Sequence, residues 1–171
     1  SLVGSEMCIR DRTYIGAYVP HNLVLMSDIH RLKYAMYLNN DAYEALKKMI
    51  DAMPDEIAND FYVKEAYTSF TDLQYSNPNL AGRDERQLGN TVSIASKSIA
   101  YHEFETSALS QWLEAHSYEY GFTLRYPKRM ASSTNHVYDA HYYRYVGKKN
   151  ANKIYKENSC IEEYNQKETA E

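Results

Sequence analysis

The 171-residue sequence has only two cysteines, one tryptophan and four prolines. Since the cysteines are Cys8 and Cys160, one at each end of the chain, no disulfide framework is indicated. The net charge of -4 lacks the basic footprint of a nucleic-acid-binding protein, so we expect no nucleic-acid partner. No apolar run approaches the length of a membrane span, so no membrane anchor is visible. The length and the 44% of hydrophobic residues predict one folded domain.

The first twelve residues, SLVGSEMCIRDR, differ in character from the rest of the chain. They lack the basic start and the apolar centre of a secretory signal. Their back-translation resembles a sequencing adapter, so we interpret residues 1–12 as an artefact and expect them to lie unpacked outside the domain. On this interpretation the domain covers residues 13–166, residues 167–171 are a frayed tail, and the region that would hold an export signal is missing.

Hydrophobic periodicity predicts an α+β domain. A helix is expected from Asp41, which would cap it in a capping box with Glu44, to the breaker Pro54. A second helix is expected to end at Gly121, and a short third helix is expected near the C-terminal end of the domain. Strands are predicted between these helices, and a polar loop separates the first two strands. The predicted strands span residues 61–67, 91–95, 122–126 and 141–147, the loop spans residues 76–90, and the later helices span residues 106–121 and 149–158.

Motif spacing alone indicates no catalytic, metal-binding or phosphate-binding site. The histidines His102, His116, His136 and His141 are scattered without the spacing of a zinc motif. There is also no phosphate-binding loop, nucleophile elbow or cysteine pair. The eighteen tyrosines could line a groove, but half-buried strand positions are the better explanation for most of them.

Longer blocks of sequence carry a family resemblance. The runs WLEAHSYEYGFTLRYP, STNHVYDAHYYRYVG and CIEEY, with AYTSFTDLQ, DERQLGNTVSIA and YVPHNLV upstream, resemble the D-alanyl-D-alanine carboxypeptidase family of the VanY type. The resemblance implies a single α+β domain of the hedgehog/LAS type, with a small antiparallel sheet flanked by helices. It also implies peptidoglycan stem peptide as ligand, a monomer, and a location at the cell envelope or outside the cell.

Members of this family hydrolyse amides with a zinc ion held by His, Asp and His, and with a glutamate as general base. Carried over residue by residue, the three metal positions are Arg86, Ser93 and Tyr142, and the base position is Asp139. Arginine stays protonated, and serine and tyrosine lie outside the usual zinc ligand set. We therefore expect no metal and no cofactor, although the family uses zinc. His141 is one residue from the last ligand position, but a one-residue slip on a strand turns its side chain to the other face.

Two further family positions concern substrate. The arginine expected to hold the substrate carboxylate is replaced by Thr68, and the glutamine of the same block is kept as Gln74. Arg86, Ser93 and Tyr142 complete the set of candidate substrate contacts.

The favoured hypothesis is a catalytically degenerate member that retains stem-peptide binding. It predicts that Arg86 approaches Asp139 across the former metal site and meets the terminal carboxylate of the ligand. The groove would be lined by Tyr138, Tyr142 and Tyr143; a collapsed pocket of packed tyrosines is the equally weighted alternative. An active zinc enzyme would need a new ligand set from His102, His136 or His141. A third hypothesis is a protein-interaction module that uses an exposed apolar patch.

Overall fold

The computed structural model describes residues 14–170 and confirms the α+β class. The predicted adapter, residues 1–12, lies outside the described residues. A two-stranded sheet is formed by β1 (Leu23–Leu25) and β2 (Tyr37–Asn39). The larger sheet is formed by β3 (Phe61–Glu65), β4 (Thr91–Ser96), β5 (Phe122–Tyr126) and β6 (Asp139–Tyr145).

Helices flank the larger sheet. They are α1 (Asn40–Asp51), α2 (Asp55–Asp60), α3 (Phe70–Ser76), α4 (Ala108–His116), α5 (Ala131–Thr134), α6 (Lys148–Lys156) and α7 (Ile161–Ala170). Short 3₁₀ helices span Glu85–Leu88, Tyr101–Thr106 and Ser117–Tyr120. Within residues 14–170 no helix combines the length and the apolar character that crossing a bilayer requires.

The first helix begins earlier than the sequence predicts. The side chain of Asn39 accepts a hydrogen bond from the Asp41 amide, so Asn39 is the cap and the predicted Asp41 cap is wrong. Asn39 is preferred because it is the last residue of β2, where the backbone is still extended as a cap residue requires. The second helix was predicted to end at Gly121. Helix α4 itself ends at His116, and the 3₁₀ helix Ser117–Tyr120 continues the turn as far as Gly121, whose φ is +90°.

The C-terminal segment is helical where the sequence predicted fraying. Helix α7 continues to Ala170 because Ile161 and Tyr164 are buried in a small apolar cluster with Ile154 of α6. An ion pair of 2.8 Å between Lys153 and Glu168 adds a contact near the end of the chain.

The larger sheet has the strand order β3-β4-β6-β5, and every pairing is antiparallel. The register places Glu65 opposite Ser93 and Ser93 opposite Tyr142. Directly opposed residues of an antiparallel sheet share a face. These three side chains therefore form one row across β3, β4 and β6.

The other face of the sheet packs into the hydrophobic core. Val63, Val92 and Ile94 are fully buried there beneath α1 and α4. Tyr143 belongs to this face as well, at 0% exposure, because it follows Tyr142 on the same strand and points the opposite way. Its predicted place in a ligand groove is wrong.

A buried ionic cluster lies on the sheet face that carries Glu65, Ser93 and Tyr142, which we call the polar face. Glu85 accepts hydrogen bonds of 2.9–3.0 Å from Nε of Arg125 on β5 and of 2.9 Å from Nη1 of Arg144 on β6. A second carboxylate, Glu162 of α7, accepts a hydrogen bond of 2.6 Å from Nη1 of Arg125. Burial alone would raise the pKa of Glu85, but the two guanidinium groups outweigh it and lower the pKa below its usual range. The cluster ties the 3₁₀ helix Glu85–Leu88 to the sheet and to α7.

We predict that Glu85→Gln lowers the free energy of unfolding by about 3 kcal/mol, since it leaves a buried positive charge undercompensated. The exposed Glu56→Gln is the matched control, with a change within about 0.5 kcal/mol. Urea denaturation at pH 7 measures both, and equal effects would contradict the prediction.

The same pair of proteins tests the pKa of Glu85. A lowered folded-state pKa contributes stability above the unfolded glutamate pKa of about 4.3 and loses it as the pH falls through the folded value. The stability difference between wild type and Glu85→Gln should therefore stay constant above about pH 5 and shrink in more acidic buffer. A difference that grew below pH 4 would contradict this.

Candidate functional site

The candidate site lies on the polar face, where the row of Glu65, Ser93 and Tyr142 meets the 3₁₀ helix Glu85–Leu88. Asp84 caps this helix by accepting a hydrogen bond from the Arg86 amide at 2.9 Å. The same carboxylate binds the Arg86 side chain, with Nε at 3.0 Å and Nη2 at 2.8 Å. Arg86 is thus held over the sheet with a fixed orientation.

Glu65 connects Arg86 and Tyr142, two of the three residues at the positions that the family resemblance assigns to the metal. Nη1 of Arg86 lies 3.4 Å from Oε2 of Glu65, and the Tyr142 hydroxyl donates a short hydrogen bond to the same oxygen. Burial and this bond to the Glu65 carboxylate raise the pKa of Tyr142 well above its ordinary value. The hydrogen bond to Asp84 raises the pKa of Arg86, so its guanidinium is permanently charged. Arg86, Glu65 and Tyr142 form one bonded unit, which we call the Arg86 cluster.

The predicted ion pair between Arg86 and Asp139 is not formed. Arg86 binds Asp84 and Glu65, whereas Oδ1 of Asp139 accepts the backbone amide of His141 at 2.9 Å. Asp139 lies at the start of β6, outside the stretch of residues 142–144 that pairs with β4, and is paired with Tyr126 of β5 instead.

Ser93 and Tyr101 complete the site. Ser93 is 1% exposed, and its hydroxyl has no direct hydrogen-bond partner among residues 14–170. Tyr101, the first residue of the 3₁₀ helix Tyr101–Thr106, is 44% exposed. Burial of its hydroxyl and the nearby Asp139 carboxylate raise the pKa of Tyr101, and the neighbouring Ser93 lowers it. The Tyr101 hydroxyl is thus under the electrostatic influence of Asp139.

The histidines do not supply an alternative metal site. Both ring nitrogens of His141 face backbone carbonyls, Nδ1 at 2.7 Å from Ile94 and Nε2 at 2.9 Å from Tyr101. The ring is stacked between Tyr101 and Phe104, in agreement with the expected turn away from the face of Tyr142. His136 places Nδ1 2.6 Å from the Val137 carbonyl. In the described part of the chain no three His, Cys, Asp or Glu side chains converge.

The residues at the three family metal positions do not fit zinc. A guanidinium cannot donate an electron pair, and a zinc ion beside Arg86 would meet a fixed positive charge. The Tyr142 oxygen is engaged with Glu65, and serine is a poor ligand compared with the aspartate that it replaces.

The two remaining candidate substrate residues differ in accessibility. Thr68 is partly buried and turns its hydroxyl to the Ala66 carbonyl at 3.3 Å, so it cannot replace a carboxylate-binding arginine. Gln74 is exposed on α3.

Sequence reasoning missed Glu65, Asp84 and Tyr101. Asp84 could have been found as a helix cap, because aspartate is among the preferred cap residues. Glu65 and Tyr101 carry no such local signal.

Comparison with known proteins agrees with this fold. A sequence model of the D-alanyl-D-alanine carboxypeptidase family, VanY, matches residues 72–148. The chain is 32% identical to a D-alanyl-D-alanine carboxypeptidase of Enterococcus faecalis (strain ATCC 700802 / V583), over 71% of this chain and 44% of that protein. It spans 44–63% of the lengths of the three curated relatives that it matches.

Solved structures match over most of both chains. The LdcB LD-carboxypeptidase, whose structure concerns peptidoglycan recognition, superposes with a TM-score of 0.76 at 26% identity, over 88% of this chain and 83% of that one. The D,D-pentapeptidase VanY in complex with Zn(II) superposes with a TM-score of 0.63 at 25% identity, over 85% and 92%.

We predict that Ser93→Ala leaves the free energy of unfolding within about 0.5 kcal/mol of wild type or raises it, because it removes a buried hydroxyl without a direct partner. Ser96→Ala on the same strand is the matched control. The Ser96 hydroxyl bonds Asp60 at 2.5 Å and accepts two backbone amides, so its loss should cost about 1–2 kcal/mol. Urea denaturation compares the two, and a larger loss for Ser93→Ala would contradict the assignment.

Proposed function

Because the chain belongs to the D-alanyl-D-alanine carboxypeptidase family, we propose that it binds peptidoglycan stem peptides and does not hydrolyse them with zinc. The observation that carries the proposal is the Arg86 cluster, which places a bound guanidinium and a bound phenol at family metal positions. Peptidoglycan as the ligand is supported by LdcB and by the Enterococcus carboxypeptidase. We place the protein at the cell envelope on the same basis.

Loss of hydrolysis follows from the chemistry of amide attack. Zinc supplies a nucleophilic water near neutral pH, and a base must lie within reach of that water. Asp139 occupies the base position, but one of its oxygens is committed to the His141 amide. The residues of the Arg86 cluster offer hydrogen-bonding groups to a ligand, but no group that lowers the pKa of a water.

We predict that the purified protein contains far less than one zinc per chain and releases no D-alanine from a pentapeptide ending in D-Ala-D-Ala. Mass spectrometry of the metal and a D-alanine assay after zinc addition measure the two quantities. Stoichiometric zinc together with turnover would show instead an active enzyme with a rearranged ligand set.

Back-substitution tests the assignment of the metal positions. The triple variant Arg86→His, Ser93→Asp, Tyr142→His restores the family ligands, so we predict that it binds about one zinc per chain. Cobalt absorption would report tetrahedral coordination, and circular dichroism would check folding. Ser93→Asp alone is the control and should bind no metal. Equal metal binding by wild type and triple variant would contradict the assignment.

Retention on purified peptidoglycan sacculi tests the binding half of the proposal. Wild-type protein should co-sediment with sacculi, and protein remaining entirely in solution would exclude stem-peptide binding.

A further inference from the structure

The side chain of Gln87 ties the 3₁₀ helix Glu85–Leu88 to two other segments of the chain. Gln87 is the third residue of this helix and is 0% exposed. Its Nε2 donates hydrogen bonds of 2.8 Å to the Gly16 carbonyl and of 3.0 Å to the Tyr18 carbonyl. Its Oε1 accepts a hydrogen bond of 3.1 Å from the Gly82 amide. One buried amide group therefore joins three segments that are distant or separate in the chain.

The segment of residues 14–18 also contacts Gly82 directly. The Ile15 amide donates a hydrogen bond of 2.9 Å to the Gly82 carbonyl. The Tyr14 ring packs so closely on Gly82 that an added Cβ would lie 2.3 Å from its Cε2, and the φ of +73° at this position also favours glycine. Gly82 is thus held both by the side chain of Gln87 and by the segment 14–18.

The hydrogen bond between Gln87 and Gly82 closes a loop that contains Asp84. The Asp84 carboxylate binds Nε and Nη2 of Arg86, so the place of this loop determines where the guanidinium points. Glu85 cannot perform this task, because its carboxylate is bound to arginines of the sheet. Without the Gln87 amide, three backbone groups would lose their partners, and the loop that carries Asp84 would open more easily.

We propose that Gln87 is a positioning residue of the candidate site, which holds the loop of Asp84 in place and so sets the orientation of Arg86. The inference rests on the proposed stem-peptide function, since it concerns the Arg86 cluster that would meet the ligand. Because Gln87 is fully buried, it acts on a ligand only through Asp84 and Arg86.

Exchange of arginine Nε protons tests the inference, because NMR follows it for individual side chains. Gln87→Met keeps the length of the side chain and removes its three hydrogen bonds. The Nε proton of Arg86, which is bonded to Asp84, should exchange about tenfold faster in the variant. The Nε proton of Arg125, which is bonded to Glu85, reports a general loosening of the fold and should keep its rate.

A control and a second variant accompany this measurement. Gln166→Met makes the same change on the exposed side of α7 and should alter neither proton. Tyr14→Ala removes a ring that is 58% exposed, so it leaves the core intact and decides the question if Gln87→Met does not fold. It should accelerate the Arg86 proton about threefold. An unchanged Arg86 rate, or equal acceleration of the Arg86 and Arg125 protons, would overturn the inference.

Co-sedimentation of Gln87→Met with peptidoglycan sacculi separates this inference from the proposed function. Faster exchange of the Arg86 proton together with lost retention supports both. Faster exchange with retention equal to that of wild type supports the positioning role and contradicts ligand binding through the Arg86 cluster. Unchanged exchange overturns the positioning role, whether or not wild-type protein binds sacculi.

Discussion

The buried carboxylate of Glu85 is the constraint on which the polar face of the sheet depends. It receives Arg125 from β5 and Arg144 from β6, and these guanidinium groups would be too costly to bury alone. The same contacts fix the 3₁₀ helix over the sheet, and the next residue of that helix is Arg86. The position of Arg86 over the row of Glu65, Ser93 and Tyr142 therefore follows from the position of Glu85.

The Arg86 cluster joins organic charges at two of the positions that the family resemblance assigns to the metal. A zinc ion would join its ligands through one cation, whereas here Glu65 joins a fixed cation to a phenol through its carboxylate. Arg86 and Glu65 are partly exposed, so solvent weakens their attraction and the cluster stabilises the fold less than the buried Glu85 contacts do. Its main consequence is chemical, because the side chains of Arg86 and Tyr142 are both engaged by Glu65.

Asp139 is separate from the Arg86 cluster, because Arg86 binds Asp84 and Glu65. Asp139 lines a pocket whose walls are mainly aromatic.

The sequence by itself determined the α+β class, most of the elements and the family, because periodicity is local and the long blocks around WLEAH and HYYRYVG are specific. It also identified Arg86, Ser93, Tyr142 and Asp139 as the positions to inspect. Only the tertiary structure decided their partners. Glu65 and Tyr142 are 77 residues apart in the chain, and the register of β3, β4 and β6 brings them together. Such register depends on long-range pairing, which local pattern does not encode, and for this reason Glu65 took the place predicted for Asp139.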